Sequence, residues 1–261
     1  MLNAISSLKG FEIRATDGSL GTVSDFLFDD STWTVRWMVV DTGQWLTGRK
    51  VLVHPSAVIS AEYGARELNV ALTKAQVKGS PDILQDRPVS RQMQTDLYGY
   101  YGWDPLWGGR IFGAGMYGGM GALASTLPAP AYFGTAAVHE AERGGADPDD
   151  GDPHLRSFAE IVRYHVNATD GDIGHIQDIL VDSESWGVRY LIVDTSNWWF
   201  GQHVLVSPYA VKGVDWSDRH VRLDLSKERI KSSPPWHPAQ PIDSEYEHQL
   251  HHHYDWPGHG R

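Results

Sequence analysis

"ATDGSLGTVSDFLFDDSTWTVRWMVVDTGQWLTGRKVLVHPSAV" runs from Ala15 to Val58, and "ATDGDIGHIQDILVDSESWGVRYLIVDTSNWWFGQHVLVSPYAV" runs from Ala168 to Val211. The second stretch starts 153 residues after the first, needs no gap, and is identical at roughly half its positions. The register extends past this block: Pro81 meets Pro234, Pro88 meets Pro241, Tyr101 meets Tyr254 and Trp103 meets Trp256. The 261-residue chain is therefore two copies of a unit of about a hundred residues, an ordinary domain size.

Each unit is patterned as β structure. In "FEIRATDGSLGTVSDFLFD" two apolar runs flank Asp17-Gly18, repeated as Asp170-Gly171, and Asp-Gly between such runs predicts a hairpin turn. Strict alternation breaks at Trp37, Met38, Val39 and Val40, a continuous apolar run that implies a strand buried on both faces. "KVLVHP" predicts a strand stopped by Pro55. "RELNVAL" predicts another, alternating at Leu68, Val70 and Leu72. "TKAQVKGSP" predicts a short helix capped by Thr73 and finished before Pro81. About five short strands at this spacing suggest a small barrel or sandwich.

The boundaries follow: a first unit over 1–104, a linker over 105–156 and a second unit over 157–261. The linker is rich in Gly, Ala and Pro and ends in the acidic run "GGADPDDGDPH", a composition that buries too little surface to fold alone. Residues 111–138 carry no charge and are long enough to span a bilayer, yet Gly and Ala dominate and Pro128 and Pro130 interrupt. Peripheral membrane contact is the stronger expectation for that segment. "GAGMYG", Gly113 to Gly118, matches a dinucleotide-binding pattern but lacks the preceding strand and following helix that pattern requires, so no cofactor is assigned.

With 22 Lys and Arg against 33 Asp and Glu, the net charge is −11, and no basic run is present to neutralise phosphates; nucleic acid is not an expected partner. The absence of cysteine removes disulfides, thiolate metal sites and cysteine nucleophiles. No basic-then-apolar leader opens the sequence, so a cytoplasmic location, extending to the periphery of the inner membrane, is expected.

Asp41-Thr42-Gly43 reads as the signature of an aspartic protease, which needs two carboxylates sharing one proton. The repeat supplies Asp194, but Ser196 replaces the glycine there. The preferred reading is structural: Asp41 and Asp194 end a buried strand and accept hydrogen bonds from backbone N–H groups in the following turn, while Asp17, Gly18, Asp170 and Gly171 form the hairpin turns. A hydrolase using Asp41 and Asp194 is the enzymatic alternative. "HQLHHHYDW", His248 to Trp256, could hold a metal through neutral imidazoles. Three adjacent histidines do not readily face one ion, and a solvated tail is expected, with no metal ligand assigned. Trp45, Trp198 and Trp199 follow a strand end near Gly48 and Gly201, and are the expected contact surface for a protein partner.

"TDGSLGTVSDFLFD", "VRWMVVDTGQWLTGRKVLVHPSAV" and "LTKAQVKGSPD", with their second-copy counterparts "TDGDIGHIQDILVD", "VRYLIVDTSNWWFGQHVLVSPYAV" and "LSKERIKSSPP", resemble the PRC-barrel family. That family is named for the cytoplasmic domain of the photosynthetic reaction centre H subunit. "RPVSRQMQTDLYGYYGWDPLW" is similar to the C-terminal extension of standalone bacterial members. The resemblance implies an all-β chain of two small barrels in tandem, each with a short helix and a C-terminal extension. It also implies protein–protein contact without catalysis, as in a ribosome maturation factor of the family that docks on a ribosomal protein. A membrane-associated role like that of the H subunit, supporting a photosynthetic or electron-transfer complex, is the alternative within the family. The two barrels are expected to pair, within one chain or as a homodimer, because duplicated units often reproduce a dimer interface.

Overall fold

A computed structural model describes residues 1–46, 48–81, 89, 91–103, 151–195, 203–237 and 242–257. The first half contains β1 (Leu2–Ala4), α1 (Ile5–Leu8), β2 (Glu12–Ala15), β3 (Gly18–Asp29), β4 (Thr34–Asp41), β5 (Lys50–Val53), β6 (Val58–Glu62), β7 (Glu67–Val70), α2 (Lys74–Gly79) and α3 (Arg91–Tyr101). The second half repeats the order with β8 (Leu155–Ser157), α4 (Phe158–Ile161), β9 (His165–Ala168), β10 (Gly171–Asp182), β11 (Val188–Asp194), β12 (His203–Val206), β13 (Val211–Asp215), β14 (His220–Leu223), α5 (Lys227–Lys231) and α6 (Ser244–Tyr254). The all-β reading holds: the strands form two seven-stranded sheets. The short helix is α2, where Thr73 and Gln76 form a reciprocal capping box. Strands β1 and β6 and the helical course of the C-terminal extension go beyond what the alternation pattern signals.

Within the first sheet the order is β5-β4-β3-β2-β7-β6, and within the second it is β12-β11-β10-β9-β14-β13. The seventh strand of each sheet comes from the other half. β1 lies antiparallel on β10, with Leu2 opposite Asp182 and Ala4 opposite Leu180. β8 lies on β3, with Leu155 opposite Asp29 and Ser157 opposite Leu27. These are the same contacts shifted by 153 residues, so the halves exchange strands about a pseudo-twofold axis. Thr34 and Gly187, which occupy equivalent positions in the two copies, bridge each other on that axis. On either side of them Val35 N–H donates to the Trp186 carbonyl at 2.9 Å and Val188 N–H to the Trp33 carbonyl at 2.7 Å. The boundary expected at residue 156 falls inside β8, and the last residues of the expected linker are part of the first sheet.

Aromatic side chains fill the junction. Phe28 is fully buried and its ring lies 4.6 Å from Phe158, 5.5 Å from Trp33 and 6.4 Å from Trp216. Phe26 meets Trp186 and Phe158 from the opposite half. Trp33 and Trp186 adopt left-handed backbone conformations, with φ of 52° and 56°, which bulky residues rarely do. Asp29 and Asp182 hold those turns by accepting N–H bonds from Ser31 and Thr32 and from Glu184 and Ser185. Apolar side chains of both halves belong to one continuous core.

The run Trp37–Val40 faces two environments, as its loss of alternation predicts. Met38 and Val40 enter the main core, whereas Trp37 joins Leu52, Leu97 and Tyr98 beneath α3. The C-terminal extension therefore supplies the second apolar face. Its counterpart α6 does the same in the second half, with Tyr246, Leu250, His251 and Tyr254 buried.

Candidate interaction surface

Three of the aspartates read from the sequence, Asp17, Asp41 and Asp170, accept from backbone N–H groups. The Asp41 carboxylate accepts from the Gly43 N–H at 2.9 Å. Asp17 accepts from the N–H of Lys74, and Asp170 from that of Lys227, each at 2.8 Å, so both aspartates anchor a hairpin turn to the first residue of a helix. Gly18 and Gly171 carry φ of 132° and 130° in those turns. Asp41 stands opposite Thr22 and Lys50, and Asp194 opposite His175 and His203, so the two carboxylates terminate strands of separate sheets.

Trp45 is half-buried: its indole N–H donates to the Leu20 carbonyl at 2.6 Å and the Lys74 ammonium lies 5.5 Å above its ring. It latches the β4–β5 loop onto the sheet and leaves only part of its surface for a partner. Trp198 and Trp199 lie outside the described residues, as do Gly113–Gly118 and the uncharged span 111–138. Among the described residues no helix is long and apolar enough to cross a membrane.

The histidine-rich tail corrects the expectation of a solvated segment. It forms α6, capped by Asp243 on the Tyr246 N–H at 2.8 Å. His251 Nδ1 donates to the Pro257 carbonyl at 2.8 Å, and its Nε2 lies within hydrogen-bond distance of the Tyr190 hydroxyl at 2.8 Å. The Tyr190 hydroxyl donates to the Glu247 carboxylate at 3.0 Å, and Glu247 pairs with Arg189. His253 donates to the Arg229 carbonyl, reproducing the bond from Tyr100 to the Gln76 carbonyl in the first half. Only His248 and His252, one helical turn apart, are exposed. The register with Tyr98 and Tyr100 carried this outcome: His251 takes the buried place of Tyr98, and His253 takes over the carbonyl bond of Tyr100.

Burial holds the His251 imidazole below its ordinary 6.5, against the raising influence of the Pro257 carbonyl and Glu247. The unfolded chain therefore binds more protons than the folded one as pH falls below 6.5, and stability is lost on acidification through that window. His251→Tyr, which installs the residue found at position 98, is expected to flatten the fall in melting temperature between neutral and mildly acid pH. Thermal melts across pH compare the two chains directly. An identical pH dependence would remove His251 as its source.

A row of polar side chains crosses each sheet at one rim, with one residue from each of six strands. In the first it reads Lys50, Asp41, Thr22, Glu12, Glu67, Glu62, each opposite the next. In the second the same positions read His203, Asp194, His175, His165, His220, Asp215. Residues directly opposite on neighbouring strands share a face, so each row is one continuous surface, exposed or half-exposed throughout. Glu67 also pairs with Arg14 at 3.5 Å. The first row thus holds four carboxylates, one ammonium and one hydroxyl where the second holds four imidazoles and two carboxylates.

The junction is asymmetric too. A groove of about 480 Å³ opens beside β1 and β6, lined by Asn3, Ile59, Tyr63, Glu184 and Trp186. At the equivalent place in the other half Trp216, the counterpart of Tyr63, lies 4.4 Å beneath the guanidinium of Arg156, the counterpart of Asn3.

No curated protein matches the chain. The family description "PRC-barrel domain" matches residues 2–77 and 156–230, more than half of the sequence; the first match takes in all of β1 and the second begins inside β8. The chain therefore belongs to the PRC-barrel family and carries two copies of the domain in tandem.

Proposed function

We propose that the chain is a non-catalytic interaction and assembly module whose two barrels engage different partner surfaces. The observation that carries this reading is the pair of rim rows, equivalent in position and different in chemistry: Glu12 and Glu67 stand where the other row has His165 and His220, and Lys50 and Thr22 where it has His203 and His175. Electrostatic complementarity selects partners, so two unlike rows on one scaffold select two unlike surfaces. The strand exchange supports the reading, because it fixes the two rows on halves that share one core. In this reading Trp198 and Trp199, which belong to the second copy in sequence, add apolar contact, and the protein partners act at the cytoplasmic side.

Photo-cross-linking of the full chain in its native cells tests it. A cross-linkable residue at position 67 and another at position 220 are expected to yield discrete adducts with different proteins, and Trp198→Ala is expected to weaken the second adduct. The same adduct from both positions, or adducts of the chain with itself alone, would overturn the two-partner reading.

A further inference from the structure

We propose that the rim of the second sheet is a binding site for a borderline divalent transition ion, of which zinc is the type, with His165 and His220 as its protein ligands. The two stand opposite each other on the parallel pair β9 and β14, and their rings are 5.3 Å apart at an interplanar angle of 25°. Imidazole is the neutral ligand that such ions favour. Two ring nitrogens bound to one tetrahedral zinc lie roughly 3.3 Å apart. The His165 side chain is exposed on this rim, so it can turn its Nε2 toward that of His220 without moving the strands.

The surroundings of His220 prepare it for this role. Its Nδ1 is 2.7 Å from the Asp218 carbonyl. A carbonyl only accepts, so the proton sits on Nδ1 and the neutral ring presents its lone pair at Nε2. Metal-bound histidines are oriented by the same kind of bond from the second nitrogen to a backbone oxygen. The carbonyl is itself held in place: Asp215 Oδ1 accepts from the N–H groups of Ser217 at 3.1 Å and Asp218 at 2.9 Å, fixing the turn before β14. Next along the row, His175 stands opposite His165, with its Nε2 3.9 Å from Asp194. Among the described residues no three His, Asp or Glu side chains converge on one point, so water completes the coordination shell and the ion is held more weakly than in a closed four-ligand site. The equivalent pair in the first half is Glu12 and Glu67, oxygen ligands that suit harder cations.

The site stands on geometry alone and is independent of whether the row also meets a protein partner. Its test uses the full chain carrying His248→Gln and His252→Gln, so that the exposed pair on α6 contributes no signal, with zinc ion as the probe. Calorimetry is expected to show one bound zinc. Adding His165→Gln and His220→Gln is expected to weaken binding by about tenfold or more at unchanged melting temperature, whereas His203→Gln is expected to leave it unaltered. Nitrogen-detected imidazole spectra of the parent chain give a readout that needs no rim variant: the Nε2 resonances of His165 and His220 are expected to move on zinc addition, with Nδ1 of His220 still protonated. Absence of zinc binding in the parent, binding undiminished by the double substitution, or Nε2 resonances of both residues that stay in place would each overturn the proposal.

Discussion

Gly21→Ala is expected to destabilise the whole chain severely. The backbone of β3 passes so close to the end of β4 that a Cβ at Gly21 would lie 2.0 Å from the Asp41 carbonyl oxygen. No real Cβ sits that near another heavy atom, and the obstacle is main chain, which side-chain rotation cannot relieve. The φ of 138° adds a conformation that L residues rarely adopt. Overpacking and backbone strain together cost roughly 3 to 5 kcal/mol, a large part of the stability of an ordinary domain. Gly174→Ala meets the same obstacle at the Asp194 carbonyl, 1.9 Å away. Gly43→Ala is the control: its φ is also positive, at 59°, but nothing lies within 4 Å of the added Cβ. Its expected cost is about 1 to 2 kcal/mol from conformation alone. Urea titration followed by tryptophan fluorescence separates the cases. Equal midpoints for Gly21→Ala and Gly43→Ala would show that β3 yields to the methyl group.

Phe28→Ala is expected to destabilise both halves at once. Its ring is fully buried and meets Phe158 and Trp216 of the second half as well as Trp33 of the first. Truncating a buried Phe costs about 3 to 5 kcal/mol. Because the cavity opens at the junction, that loss is shared by the core of both sheets. Calorimetry is expected to show one transition in the parent chain and one transition at lower temperature in Phe28→Ala. A variant in which a second-half transition stays at the parental temperature would mean that the two halves unfold independently.

Much of this architecture was legible in the sequence, and the limits have physical causes. The duplication, the Asp-Gly turns, the doubly buried Trp37–Val40 strand and the Thr73 cap are local or periodic signals, and each sits where the pattern places it. Strand exchange is nonlocal. "LNA" and "LRS" are too short to alternate visibly, although the 153-residue register pairs Leu2 with Leu155 and thereby offered a clue. Gly21 was visible as a repeated glycine, but its necessity depends on the approach of Asp41 from another strand. The histidine row was hidden for the same reason. His165, His175, His203 and His220 are scattered along the chain and become neighbours only through register, whereas the conspicuous cluster His251–His253 is adjacent in sequence and splits between buried and exposed directions. Adjacency along a helix scatters side chains around its circumference; opposition across strands collects them.

The bridge between Thr34 and Gly187 has a further consequence. In a dimer of identical chains, a residue on the twofold axis must face its own duplicate, and every substitution near the axis is made twice. Covalent fusion lifts that obligation. A hydroxyl-bearing residue can sit against a glycine, Asn3 can stand where the other half has Arg156, and Glu67 where the other has His220, with each change chosen on one side alone. The fused pair keeps the geometry of a symmetric assembly while its two faces are free to specialise.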